Sequence, residues 1–415
     1  MAHLLLLALA VTCSFAMQVV FIPLQETAKL DLGLSDLQIG LAQGFAASIP
    51  VALLAIPLGR LVDRANRVRL LWGVAAVWTL GVILTAFAHS FTLLFVARML
   101  SGVGVTFALP VAISLAADHC APSSRGRALL LLSTGRIVGT ALAFALGGSL
   151  LGVLARAADG EAALAPWRGV QLIFGVASLL LMLPLLLLRE PPRREISEVA
   201  DLALRPALRA IWRRRPLLAP LFLGQIAAAM AVIAAGIWAA PVLARDYGQQ
   251  PEEFGSWMGG ILLLSGLIGS VLGGLSADWG YKGRIRGGLL GGAVVAAVCA
   301  IPAALFPLMP GPASFGLLLG ILLTSGAITG LVTATAIAVL VPNDLRGVCL
   351  GVLFVVGALF GTGLAPTLVT LTSSLFGGEA FLREGLASVA VTASALSAWG
   401  FLRAARAVRQ GSPGS

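Results

Sequence analysis

Apolar segments of about 20 residues recur twelve times along this chain, and each is long enough to cross a hydrocarbon core. They lie at 4–26, 36–59, 70–89, 92–117, 128–153, 168–188, 217–243, 254–277, 287–308, 314–341, 348–373 and 384–405. All are continuously apolar and rich in Ala, Leu and Gly, without the two-residue alternation of a barrel strand. The expected fold is therefore an all-α integral membrane protein with twelve transmembrane helices. Composition agrees: 11% of the residues are charged and the mean hydropathy is +0.98, whereas soluble domains carry about 25% charged residues. The first segment has no basic flank ahead of it and no small-residue cleavage site before Pro23, so it reads as a spanning helix rather than a signal peptide.

The net charge of +10 would suit a nucleic-acid binder, but its placement does not. With both termini in the cytoplasm, most of the 28 basic residues fall in the even-numbered connections, the central linker and the C-terminal end. That is the positive-inside distribution of an inner-membrane protein. The basic loops are expected to meet anionic membrane lipids, and no nucleic acid. Cys13, Cys120, Cys299 and Cys349 show no paired spacing, so neither a disulfide framework nor a metal site is expected. His3, His89 and His119 fall near membrane edges without metal-ligand spacing. No phosphate loop, zinc-protease helix or nucleophile elbow occurs, which points away from an enzyme and from a cofactor.

Two markers recur in the two halves at nearly the same offset. Gly59-Arg60-Leu61-Val62-Asp63-Arg64 is echoed by Gly274-Leu275-Ser276-Ala277-Asp278, and Pro122-Ser123-Ser124-Arg125-Gly126 by Pro342-Asn343-Asp344-Leu345-Arg346-Gly347. A duplication follows: a six-helix bundle over 1–188, a cytoplasmic linker over 189–216, a second six-helix bundle over 217–406, and a disordered tail over 407–415. Within the linker, Val199, Leu202, Leu208 and Trp212 stand among charges. That pattern fits a helix lying on the membrane face or a solvated connection. Inverted or parallel repeats of this kind are how secondary transporters build alternating access around a site near the midplane.

The residues Gly59-x-Leu61-x-Asp63-Arg64-x-x-Arg67 resemble the loop signature of the major facilitator superfamily, and Arg98-x-x-x-Gly102-x-Gly104 resembles its fourth-helix motif. The Pro…Arg-Gly turns and Trp167-Arg168 fit the same pattern. Within the superfamily, Asp31-Leu32-Gly33-Leu34-Ser35-Asp36, Asp63-Arg64-Ala65-Asn66-Arg67 and Arg189-Glu190-Pro191-Pro192 look most like the spinster-type branch. That branch carries an Asp-Arg pair in helix 1 and a glutamate in helix 4, where this chain has Met17-Gln18 and Val105. The resemblance implies a gate in which Asp63 sits at the N-terminus of helix 11, where the dipole favours an anion. Arg64 or Arg67 would reach Asp118, holding the two halves together, with Asp278 as the weaker counterpart in the second half. A plain topology signal would need no aspartate, whereas a two-state gate needs charges of both signs.

Arg98 and Arg136 enter their helices from opposite sides, roughly 10 Å and 13 Å deep in a core about 30 Å thick. A charge at such depth costs at least about 2.5–3.5 kcal/mol, and few acids stand within the spans to balance it. The expected substrate is therefore an organic or lipid-like anion whose charge meets Arg98 and Arg136. Snorkelling for Arg136 and backbone bonding for Arg98 are the plainer roles. The resemblance places helices 1, 4, 7 and 10 along the route, which nominates Gln18, Gln225 and Thr329 as further contacts. Phe21, Phe107, Met230 and Trp238 would be an apolar wall or ordinary packing. The expected function is a secondary active or facilitative transporter acting as a monomer. The alternatives are a proton-coupled exporter of drug-like amphiphiles using Asp118 or Glu26, or a non-transporting membrane receptor or assembly partner.

Overall fold

The computed structural model describes residues 2–121, 124–157, 164–192, 204–282 and 288–410. It holds twelve helices or helix pairs long and apolar enough to cross a membrane. In the first half, α1 (Ala2–Val19) and α2 (Phe21–Leu32) form one span, and α3 (Asp36–Gln43) and α4 (Phe45–Arg64) the next. Then come α5 (Arg67–Ala86), α6 (Phe91–His119), α7 (Arg125–Ala157) and α8 (Pro166–Met182). A short linker helix, α9 (Leu204–Arg213), precedes α10 (Arg215–Asp246), α11 (Pro251–Lys282), α12 (Gly291–Ala303) and α13 (Pro312–Leu340). The eleventh span is α14 (Asn343–Gly357), a π-helical stretch Ala358–Leu364 and α15 (Ala365–Phe376); α16 (Leu382–Gln410) is the last.

Local chemistry sets the ends. Asn66 and Ser90 cap α5 and α6 by accepting from the amides of Arg69 and Leu93. Ser35 and Gln38 form a reciprocal capping box that starts α3. Gly33, at φ +61°, takes the left-handed conformation that closes α2, a geometry costly for any residue with a Cβ. Several helices run beyond the apolar segments read from sequence: α2 reaches Leu32 and α7 reaches Ala157. Hydropathy marks where the hydrocarbon ends, but a helix continues until its backbone is capped. The first span breaks at Val20 because Pro23 has no N–H to offer the carbonyl of Val19.

The chain divides into two compact units. The first comprises Met1–Ile196 with Ala240–Leu263, and the second Ser197–Ala239 with Leu264–Ser415. The end of α10 and the start of α11 thus belong with the N-terminal helices. Glycine makes that packing possible. A Cβ on Gly148 of α7 would lie 2.2 Å from the carbonyl oxygen of Pro251, and one on Gly255 would lie 2.7 Å from that of Phe144. The sequence suggests Gly147-Gly148 as a bend, but α7 runs unbroken through it. The same logic joins α1 to α7, where a Cβ on Gly139 would sit 2.2 Å from the carbonyl oxygen of Thr12. Gly139→Val is therefore expected to cost about 1–3 kcal/mol by overpacking, seen as a lowered unfolding midpoint of the purified protein.

In the second unit, Leu289, Ala293, Val332, Ile337, Leu345 and Phe401 form a closed core that also takes in Ala207 and Ile211 of α9. The linker helix is amphipathic: Ala207 and Ile211 face this core while Leu208 and Trp212 are exposed. The guanidinium of Arg215 lies 5.3 Å from the Trp212 ring centroid. Val199 and Leu202 of the expected interfacial segment, and the last five residues of the tail, lie outside the described residues.

Candidate substrate site and charged clusters

Helix α6 is wedged between α5 and α4 by small residues. A Cβ on Gly104 would lie 2.3 Å from that of Trp78, and one on Gly102 would lie 2.8 Å from the Cα of Ala47. These approaches fix the helix that carries Arg98. Its guanidinium is 4% exposed. Nη2 donates to the backbone carbonyl of Gln18 at 2.8 Å and to Oε1 of Gln43 at 3.0 Å. Nε of Arg98 is buried without a partner. Gln43 passes the network on, donating to Oε1 of buried Gln25 at 2.8 Å. The ring of Phe21 lies under the guanidinium, with its centroid at 5.1 Å. So Gln18 contributes its backbone, and the break at Val20 lies beside the carbonyl that Arg98 uses.

Arg136 emerges from α7 beside Gly135 and Gly139, which seat on Ala8 and Thr12 of α1. It is exposed, and its guanidinium lies 5.9 Å from the ring centroid of Phe15. Phe15 and Gln18 are one turn apart, about 4.5 Å along the helix. The two arginines thus address neighbouring turns of the first span. Among the described residues, neither is paired with a carboxylate.

The second unit gives a milder picture. Gln225 on α10 accepts from the hydroxyl of Thr333 on α13 at 3.2 Å. Thr329 is 1% exposed and donates to the carbonyl of Gly326 in its own helix, which places it inside the packed unit. Ser394 and Ser397 lie in the same interior with unpartnered hydroxyls. Trp238, fully buried, donates to the carbonyl of Pro366 at 3.0 Å, directly after the π-helical stretch. Phe21 and Phe107 are also buried.

Arg67 and Asp118 do meet, but not as a tie between halves. Arg67 is 2% exposed at the first turn of α5. It donates to Asp118, to Oγ of Ser114 at 3.1 Å and, through Nε, to Glu190 at 2.7 Å. Glu190 also accepts from the amide of Val68 at 3.0 Å. All these groups belong to the first unit, so the cluster clamps α5, the end of α6 and the segment after α8. The two members of this pair stand on α5 and α6 of one bundle. Arg64 is exposed, the side chain of Asp63 lies outside the described residues, and Asp278 is exposed near the end of α11. Arg67→Ala would remove the guanidinium that Asp118 and Glu190 share. Roughly 3 kcal/mol of stability should be lost, with Arg67→Ala/Asp118→Asn less affected in the same thermal-unfolding measurement.

At the other end of this unit is a cluster the sequence did not announce. Arg245 reaches Glu26 through Nε and Nη2 at 2.9 and 2.8 Å, and Asp36 through Nη1 and Nη2, both at 2.7 Å. Lys29 donates to the same Asp36 at 2.7 Å. Next to it, Arg168 and Trp167 both donate to Oδ2 of Asp31, and Arg168 also reaches the carbonyl of Ala86 at 2.8 Å. Positive-inside counting registers Arg168 and Arg245 only as charges on the wrong side. The usable signal was the run of acids at the ends of the first two spans, Glu26, Asp31 and Asp36.

Two bundles of apolar helices with these motifs match a known pattern, and the profile of the Major Facilitator Superfamily covers residues 4–366. The chain belongs to the major facilitator superfamily. As a member of that superfamily it is a membrane transporter and not an enzyme. Crystal structures of a bacterial homologue of the human lysosomal transporter spinster share its fold. The inward-facing, unoccupied form has a TM-score of 0.82 and 24% identity, over 100% of this chain and 98% of that one. The nucleoside transporter NupG matches with a TM-score of 0.76 and 12% identity, over 97% and 99% of the two chains. A stretch of 116 residues is 38% identical to the 3-(3-hydroxy-phenyl)propionate transporter of Escherichia coli (strain K12). That stretch amounts to 28% of this chain and 28% of the relative's length.

Proposed function

We propose that this superfamily member moves an organic or lipid-like anion across the inner membrane by alternating access of its two six-helix repeats, with Arg98 and Arg136 receiving the anionic group. The carrying observation is a buried guanidinium that, among the described residues, bonds to neutral acceptors and leaves its Nε without a partner. A cation in that setting gains most from a partner that arrives from outside. The aromatic rings of Phe15 and Phe21 beside the two guanidiniums suit a carboxylate on an apolar or aromatic body. The partial relative supports the same class, since its named substrate is an arylpropionate.

The proton-coupled exporter gains nothing here. Glu26 and Asp118, its candidate acids, are each bound by an arginine, and protonation would first have to break those pairs. Uptake into proteoliposomes tests the reading. Arylpropionates and short organic acids should enter at least tenfold faster than their neutral amides, with rates that fall in Arg98→Ala and Arg136→Ala. Equal uptake of acid and amide, or rates indifferent to both substitutions, would overturn it.

A further inference from the structure

We propose that the end of the first unit opposite Arg245 carries a second, separate site for a phosphate-bearing lipid, held between the first turn of α1, the last turn of α6 and the first turns of α7. A cavity of about 460 Å³ lies there, with His3, His119, Ser124 and Arg127 in its wall. His3 and His119 stand far apart in sequence, yet their ring centroids are 4.9 Å apart. Nδ1 of His119 is hydrogen-bonded to the carbonyl of Leu115 at 2.9 Å, which orients the ring and leaves Nε2 for a ligand.

Among the described residues Arg127 of α7 is the charged side chain lining the pocket, beside His3 of α1, His119 at the end of α6 and the thiol of Cys120, with Arg125 nearby bonded to the carbonyl of Ala117. No carboxylate lines the cavity among the described residues. Asp118, the acid next to His119, is engaged by Arg67. Leu4, Ala128 and Leu131 supply an apolar wall beside these groups. Basic and apolar surface in one cavity suits a phosphate head with an acyl tail better than a bare ion. This end also carries Arg64, Arg67 and Arg125, where the positive-inside pattern meets the anionic leaflet.

The site differs from that of Arg98, so it stands or falls apart from the transport proposal.

Thermal unfolding of the purified full chain with lysophosphatidate, lysophosphatidylcholine or inorganic phosphate is the test. Lysophosphatidate should raise the midpoint. The His119→Gln/Arg127→Gln variant should weaken its apparent affinity about tenfold or more, as expected for lost charge-assisted bonds. Arg127 is exposed, so Arg127→Gln alone serves if the double variant folds poorly. An equal shift with the zwitterionic lipid, or no weakening in these variants, would overturn the site. Inorganic phosphate matching the lipid at equal concentration would overturn the lipid assignment in favour of a soluble phosphate.

Discussion

Arg245→Ala is expected to lower the unfolding midpoint by several degrees and to destabilise the described arrangement by about 3 kcal/mol, as for removal of one member of a buried pair. The side chain of Asp36 is 3% exposed and holds Lys29 and Arg245 together. Without the guanidinium, Asp36 keeps one cation and Glu26 loses both of its bonds from Arg245. Arg245 itself is 22% exposed, so solvent recovers part of the loss and the lower end of the usual range applies. Lysine should rescue poorly, since a point charge cannot span two carboxylates as the planar fork does. Asp36→Asn added to Arg245→Ala should recover much of the stability by removing the stranded anion.

Under the alternating access proposed above, the same residue would bear on the transport cycle, since the end of α10 is bound to α2 and α3. Losing about 3 kcal/mol there would change the ratio of two conformers roughly a hundredfold. Cysteine accessibility at the two membrane faces, measured in Arg245→Ala, should shift accordingly. An unchanged pattern with an unchanged midpoint would mean that the pairs are effectively solvated and carry little.

What the sequence made legible follows from which forces are local. An apolar run of membrane length needs no tertiary partner to declare itself, so all twelve spans were visible. A charge at depth is equally local, because its cost depends on position along one helix, and that singled out Arg98. Its actual partners were not visible. Gln43 and the carbonyl of Gln18 reach it from other helices, and nothing in their own neighbourhoods marks them. Arg67 shows the intermediate case: Asp118 is a reachable partner, but Glu190 comes from beyond α8, where the sequence shows a linker and a family signature without naming its partner. Gly148 reads in the sequence as a flex point, and the structure shows a second use, a missing Cβ where the chain at Pro251 and Gly255 approaches. Small residues in membrane helices serve close packing at least as often as bending, and only the neighbouring helix decides which.

Arg98→Ala should separate the two roles open to a buried arginine, since binding and packing make opposite demands on the ligand-free protein. If the guanidinium awaits an anion, its removal relieves an insertion cost of at least about 2.5–3.5 kcal/mol. Against that stands the loss of bonds to Gln18 and Gln43, whose stranded acceptors cost about 1–3 kcal/mol. The two nearly cancel, and the midpoint without ligand should move little. The stabilisation by an arylpropionate should meanwhile fall about a hundredfold in apparent affinity, the equivalent of one charge-assisted, partly desolvated pair. Arg98→Lys keeps the charge but cannot bond Gln18, Gln43 and a carboxylate at once, so it should retain an intermediate affinity, about tenfold down. A packing role predicts the reverse pair of results: a clear drop in the ligand-free midpoint with the ligand-induced shift preserved. Measuring both quantities on one sample decides the matter, because no single change in global stability produces the first pattern.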